Sequence, residues 1–295
     1  MAVIILLIML KIENDILIVT SKPSGAELCS IYNKQTKLEY LWQAGLAWPK
    51  HAPVLFPIVG QLKNNSYVHE GKTYSMDRHG FARTMTFLTT DHRPEEIEYS
   101  LMYDEETMNV FPFQFELLIN YEVIDATLNI LYTVINHGQA NMYFSIGAHP
   151  AFKVPLTIEE NYDDYYLRFS KTENTERWLL NNGLLDNSTA PFLVNKNDLQ
   201  LTKSIFYDDA LVFKNLKSDN ISILSKKSEH GLKFQFEGYP YFGIWAAKDA
   251  DFICLEPWHG IADHLTATQQ LKEKEGIQLL EPGVEFNCSY SISCF

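Results

Sequence analysis

Glu96-Ile97-Glu98-Tyr99-Ser100-Leu101-Met102-Tyr103 sets Ile97, Tyr99, Leu101 and Tyr103 on one side of an extended chain and Glu96, Glu98 and Ser100 on the other. Side chains alternate across a strand with period two, so this stretch reads as a half-buried β-strand. The pattern recurs outward from it. Leu232, Phe234 and Phe236 lie opposite Lys233, Gln235 and Glu237, and Phe113, Phe115, Leu117 and Ile119 repeat the alternation. Leu128 to Ile135 is apolar at both parities, which predicts a strand held between two layers. Tyr67 to Tyr74, with Glu70-Gly71 at its centre, predicts a hairpin, and Asn136-His137-Gly138 closes another strand. The best helical candidate is Asp104 to Val110, where Asp104, Glu105 and Glu106 favour a helix N-terminus and Pro112 stops it. There is no fixed-period repeat. The expected fold class is all-β, a large antiparallel β-sandwich with sheet packed on sheet.

The chain has 295 residues, 46% of them hydrophobic, and a formal net charge of -13. That is enough to bury a large core, and no stretch reads as a linker, so residues 1–295 are expected to form a single domain. The negative charge argues against nucleic acid and anionic membrane as partners. The apolar run Ala2 to Leu10 is too short to span a bilayer, which takes about 20 residues. It lacks a basic start and a small-residue cleavage site, and reads as a first strand or the result of a start codon placed slightly upstream. Cys29, Cys254, Cys288 and Cys294 form no CxxC pair, as expected of reduced thiols in a cytoplasmic protein. No HxxxH helix and no cysteine at ligand spacing is present, so no metal centre is expected. Glycine-rich phosphate loops, a GxSxG elbow and a dinucleotide fingerprint are also missing.

Three polar islands stand out: His79-Gly80-Phe81-Ala82-Arg83, Gly147-Ala148-His149-Pro150-Ala151-Phe152, and Leu255-Glu256-Pro257-Trp258-His259-Gly260-Ile261-Ala262-Asp263. Each sets a proton-transfer group beside Gly, Pro or an aromatic, as a loop facing a small hydroxylated ligand would require. His149, between Gly147-Ala148 and Pro150, follows the predicted strand Met142 to Ile146. It reads as a general acid, or as a turn histidine satisfied by backbone. Glu256 ends the predicted strand Asp251 to Leu255 at a bend before Pro257, where burial would raise its pKa and improve it as a base; the alternative is a loop carboxylate paired with a cation. Trp258 is a platform for the CH face of a sugar or a core residue. His79 and Arg83 could hold sugar oxygens or a phosphate, or sit in a solvated loop. Asp208 and Asp209 precede a strand at Ala210 to Phe213, as ligands for hydroxyls or as turn residues.

As a set, these motifs resemble the aldose 1-epimerase, or galactose mutarotase, superfamily, and most closely its LacX-like branch, associated with lactose and galactose utilisation. The resemblance runs from Gly25-Ala26-Glu27-Leu28 and Leu41-Trp42-Gln43, through Phe56-Pro57-Ile58-Val59-Gly60, to Glu281-Pro282-Gly283-Val284-Glu285-Phe286. It implies a supersandwich with a sugar in an open cleft on one sheet and no cofactor. By motif, His149 would protonate the ring oxygen, Glu256 would deprotonate the anomeric hydroxyl, His79 would hold the sugar and Asp209 would bind its hydroxyls. Each acid-base group is then expected to exchange protons near neutral pH, with Glu256 raised and His149 near about 6.5. Gln61 stands where relatives carry Arg, and Lys63, Arg78 or Arg83 could replace that charge. The implied partner is a hexose such as galactose or glucose. The alternatives are a hexose 6-phosphate held by Arg78, Arg83 and Lys63, and a sugar-binding regulatory protein with a weakened cleft. A glycosidase with paired carboxylates fits less well, because Glu is paired with His. Exposed sheet edges would allow a homodimer.

Overall fold

The alternating stretch forms the strand Glu96–Met102, paired with Leu88–His92 on one side and Phe115–Ile124 on the other. The computed structural model describes residues 9–295. Most of the apolar run read as a first strand therefore lies outside the described residues. Phe115–Ile124 buries every second side chain and pairs onward with Thr127–Asn136, which pairs with Glu285–Cys294. These ladders belong to a 15-stranded sheet. Its order continues through Gly231–Gln235, Asn220–Ser225, Tyr165–Asn181, Leu211–Lys214, Tyr241–Trp245 and Phe252–His259 to Ile146–Ala148 and Val54–Leu55. A 4-stranded sheet of Leu10–Glu13, Leu17–Lys22, Glu27–Asn33 and Leu38–Glu39 accompanies it.

The two sheets share one apolar core. Leu17, Val19, Leu28 and Ile31 of the smaller sheet cluster with Tyr99, Leu117, Ile119 and Leu128 of the larger. Buried tyrosine hydroxyls find partners across it: Tyr121 donates to the Ala26 carbonyl at 2.8 Å, and Tyr99 shares a hydrogen bond with Ser21 at 2.7 Å. Every ladder between these strands is antiparallel, giving the expected antiparallel β-sandwich. Among the described residues the α-helix is Glu105–Val110, where the Asp104 carboxylate accepts from the Thr107 N–H at 2.7 Å and Thr107 Oγ1 accepts from the Asp104 N–H at 2.8 Å. This reciprocal cap satisfies donors that a short helix would otherwise leave open. No described helix is long and apolar enough to cross a membrane.

Three local expectations are corrected. Thr127–Asn136 is not buried on both faces: Leu131 is 40% exposed, because one face of this antiparallel sheet meets water. The strand predicted over Met142 to Ile146 breaks at Ser145. Met142–Phe144 pairs with Gln278–Leu280, whereas Ile146–Ala148 joins the large sheet. Phe252–His259 runs straight through Pro257, so Glu256 lies within a strand rather than at its end.

Glu27 ties the smaller sheet to the segment that carries Trp48. Its carboxylate accepts from the backbone N–H of His51 at 2.8 Å and of Ala52 at 3.2 Å, and pairs with Lys22 at 2.5 Å. Burial pushes its pKa up, but the His51 and Lys22 contacts outweigh that and hold it at about 2. A carboxylate depressed from about 4.5 contributes about 3 kcal/mol that is fully present above that value and lost as pH falls toward 2. Glu27→Gln should therefore lose about 3 kcal/mol in urea unfolding at pH 7 and much less at pH 3. An equal loss at both pH values would contradict this assignment.

Candidate active site

The floor of the site follows from strand register. Phe252–His259 is flanked on one side by two short strands, with Gly147 opposite Trp258 and Ala151 opposite Cys254. The register is the same before and after the gap between them, so His149 falls opposite Glu256. Leu255 donates its N–H to the Pro150 carbonyl at 3.2 Å, so the nitrogen of Pro257, two residues on, faces the same neighbour. Pro257 and Pro150 lack N–H groups, which leaves the ladder open beside His149 and Glu256. Directly opposed residues share a face. His149 Nε2 lies 3.3 Å from Glu256 Oε2.

Small residues and aromatics shape this face. A Cβ on Gly147 would come within 2.6 Å of the Trp258 ring, and one on Gly243 within 2.4 Å of it. Both glycines are needed for the indole to lie flat across the strands. The His149 ring stacks on Trp48 with centroids 5.0 Å apart and meets Trp245 edge-on at 5.8 Å. With Val59, Gly60, Leu180, Ala210 and Ala262, these groups line a cleft of about 230 Å³.

His79, Arg83, His149, Asp209, Glu256 and Trp258, from all three islands and the Asp208-Asp209 turn, line the same cleft, as does Arg78 just before the first island. His79 accepts the Gly60 N–H at Nδ1 over 3.1 Å, which leaves Nε2–H as its donor. Asp209 accepts from its neighbour Ala210 at 2.7 Å, while Asp208 is exposed beside Arg177. Gln61 and Lys63 do not line the cleft. The Gln61 amide turns to Asn65, and the Lys63 ammonium donates to the Ala267 carbonyl at 3.1 Å, so Lys63 does not bring its charge to the cleft. Arg78 reaches the tip of the Tyr165–Asn181 and Leu184–Gln200 hairpin, near Gly183.

Burial decides the protonation of the pair. Desolvation raises Glu256 to about 8, against the opposing charge of Arg78, and lowers His149 to about 3, helped by Arg83 and Arg78. At neutral pH the pair therefore holds one proton, on the carboxyl, and the imidazole is neutral. This corrects the expectation of His149 near 6.5: Trp48 and Trp245 exclude the water that would solvate an imidazolium.

Sequence reasoning missed Trp48, Trp245 and Lys50. Trp245 closes the alternating strand Tyr241–Trp245, and Trp48-Pro49-Lys50 joins the Glu27 anchor, but neither position carries a proton-transfer signal. It also set Cys254 aside, although strand periodicity places the thiol on the face of Glu256. The Cys254 Sγ, a Glu256 carboxylate oxygen and a His149 nitrogen lie within 4.8 Å of one another.

Glu256 should cost the free protein stability. Between about pH 4.5 and 8 the folded carboxyl keeps a proton that the unfolded chain releases, so stability falls as pH rises through that window. Glu256→Gln removes this penalty and leaves His149 common to both proteins. Its advantage over wild type in urea unfolding should widen by about 2–5 kcal/mol from pH 5 to pH 8.5. A gap that does not change with pH would show that the carboxyl is ordinary.

Comparison with known proteins agrees with this architecture. The Aldose 1-epimerase family model matches residues 9–293. The chromosomal Protein LacX of Lactococcus lactis subsp. lactis is 34% identical, covering 96% of this chain and 98% of that one. A galactose mutarotase related enzyme from Lactobacillus acidophilus superposes with a TM-score of 0.94 at 34% identity, over 98% of this chain and 97% of the other. A galactose mutarotase-like protein from Lactobacillus casei gives 0.91 at 28% identity, over 97% and 100%. With the match covering nearly the whole chain, this protein belongs to the aldose 1-epimerase family.

Proposed function

We propose that this chain interconverts the α and β anomers of a hexose by acid-base ring opening, and that the 3.3 Å pair of His149 and Glu256 on the cleft floor carries the reaction. Anomer exchange takes a proton from the C1 hydroxyl, gives one to the ring oxygen, and breaks the bond between C1 and that oxygen. The aldehyde then rotates about C1–C2 and closes on its other face, with both transfers reversed. Such a cycle needs one proton and one vacancy in the catalytic pair, which is what burial leaves here. At rest the proton is on Glu256. A sugar hydroxyl donated to the carboxyl, together with Arg78, favours the carboxylate and sends the proton across the short contact to His149. Glu256 then acts as base and His149 as acid. His79 Nε2–H, Asp209 and Arg83 are further cleft groups available to hold hydroxyls, and the tryptophans offer apolar faces for ring C–H groups.

A second reading rests on Lys50, Arg78 and Arg83. None of the three makes an ion pair among the described residues, in a chain of net charge -13. Burial, with repulsion from Arg83 on Lys50 and from Arg78 on Arg83, lowers the pKa of both groups. Three uncompensated cations near the mouth would suit a phosphate on the hexose.

Polarimetry of freshly dissolved α-D-glucose and α-D-galactose, with EDTA present, tests the first reading. Wild type should accelerate the approach to equilibrium, and His149→Ala and Glu256→Gln should each lose about 10²- to 10⁴-fold. The rate should stay level from about pH 5 to 7.5 and fall above about 8, as Glu256 loses the pair's only proton. Most of the activity surviving in either variant would remove the assignment. Saturable sugar binding without acceleration would favour a binding protein. Under the second reading, Arg83→Gln should weaken turnover of a hexose 6-phosphate at least tenfold more than that of the free hexose, and equal effects would exclude it.

A further inference from the structure

Sulfur, nitrogen and oxygen donors converge at the His149 and Glu256 pair that lines the cleft. Cys254 and Glu256, two residues apart, share one face of their strand, and His149 is set opposite Glu256. All three are buried, and their donor atoms lie within 4.8 Å of one another. Zinc binds thiolate at about 2.3 Å and imidazole or carboxylate at about 2.0–2.2 Å, so small rotamer changes would bring the three atoms around one ion. Thiolate with imidazole selects zinc-like ions over magnesium or calcium. A second cluster of this composition among the described residues, Glu27, Cys29 and His51, has its carboxylate already occupied, by Lys22 at 2.5 Å and by the His51 and Ala52 N–H groups. No ammonium or guanidinium is bonded to His149, Cys254 or Glu256 among the described residues.

We infer that His149, Cys254 and Glu256 form a three-donor site for a zinc-class divalent ion, and that the bound ion switches off the proton-transfer pair. Metal–sulfur and metal–oxygen bonds replace the thiol and carboxyl protons, which leave to solvent, and the imidazole donates its lone pair. The fourth position faces the cleft, open to water or a sugar hydroxyl. Ion and proton then compete for the same atoms, so the loaded protein has no group free to take or give a proton. The inhibition rests on the proposed epimerase reading; the binding does not.

The test is titration of Co²⁺ into the full chain, stripped of metal with EDTA and desalted, following the near-ultraviolet thiolate-to-cobalt charge-transfer band. Wild type should develop the band at one equivalent, Cys29→Ser should keep it, and Cys254→Ser should lose it, with Cys254→Ala replacing the serine variant if that one does not fold. In polarimetry, Zn²⁺ should inhibit wild type at a concentration at least tenfold below that needed for Cys254→Ser, each protein compared with its own rate in EDTA. No band in folded wild type, a band that survives loss of Cys254, or a band lost with Cys29 overturns the site. A band without any mutarotation keeps the metal site and removes the epimerase reading.

Discussion

The site depends on one constraint of strand pairing: Phe252–His259 and its two short neighbours hold a single register across a gap, and that register sets His149 opposite Glu256. Were the pairing to slip by one residue, every side chain on the strand would change face. The gap matters as much as the register. Two prolines without N–H groups open the ladder where the pair emerges, yet the Leu255 to Pro150 hydrogen bond keeps the strands together on one side and the Gly147–Trp258 pairing on the other. The pair is thereby set in the interior of the sheet, Glu256 within a strand and His149 in the short gap between two.

The environment completes what the register begins. A neutral imidazole and a protonated carboxyl are the form of the pair that burial penalises least, and under the proposed anomer exchange that form supplies the one transferable proton the cycle requires. Trp48, Trp245 and Trp258 line the cleft around it. The cleft wall is held from behind by Asp263, whose carboxylate pairs with the buried Lys274 at 2.8 Å and accepts the Lys63 N–H at 3.0 Å, while Lys274 also donates to the Ile261 carbonyl at 2.6 Å. Removing one partner of such a buried pair leaves the other charge uncompensated, typically at about 3–5 kcal/mol. Glu27 does the same for the Trp48 segment.

Much of this was legible in the residues. Period-two alternation located the strands around Tyr99, Leu117 and Phe234, Asp104 marked the helix, and Glu70-Gly71 the hairpin, because each rests on local geometry. The three islands named groups that the fold brings into one cleft. The errors have a common physical origin. Pro257 reads locally as a stop, and it is tolerated because its nitrogen faces the point where the neighbouring ladder breaks between Ile146–Ala148 and Ala151–Lys153. Leu131 reads as core because the sequence does not say which face of a strand meets water. Lys63 reads as a cleft cation until the direction of its side chain is known. Cys254 lies at ligand distance only through pairing with a strand a hundred residues earlier. Asn182-Gly183, the turn of the long hairpin whose tip lines the cleft, carried the Asn-Gly signal for such a turn.

The central claim is that the register creates a buried pair holding one proton, carried at rest by Glu256. The most direct measurement is the ¹⁵N chemical shifts of the His149 ring, assigned by comparison with His149→Ala, through a titration from pH 5 to 9 in the free protein. The account predicts a neutral imidazole throughout, with a single perturbation near pH 8 as Glu256 ionises beside it. An imidazolium that titrates near pH 6.5, with no event near 8, would contradict it.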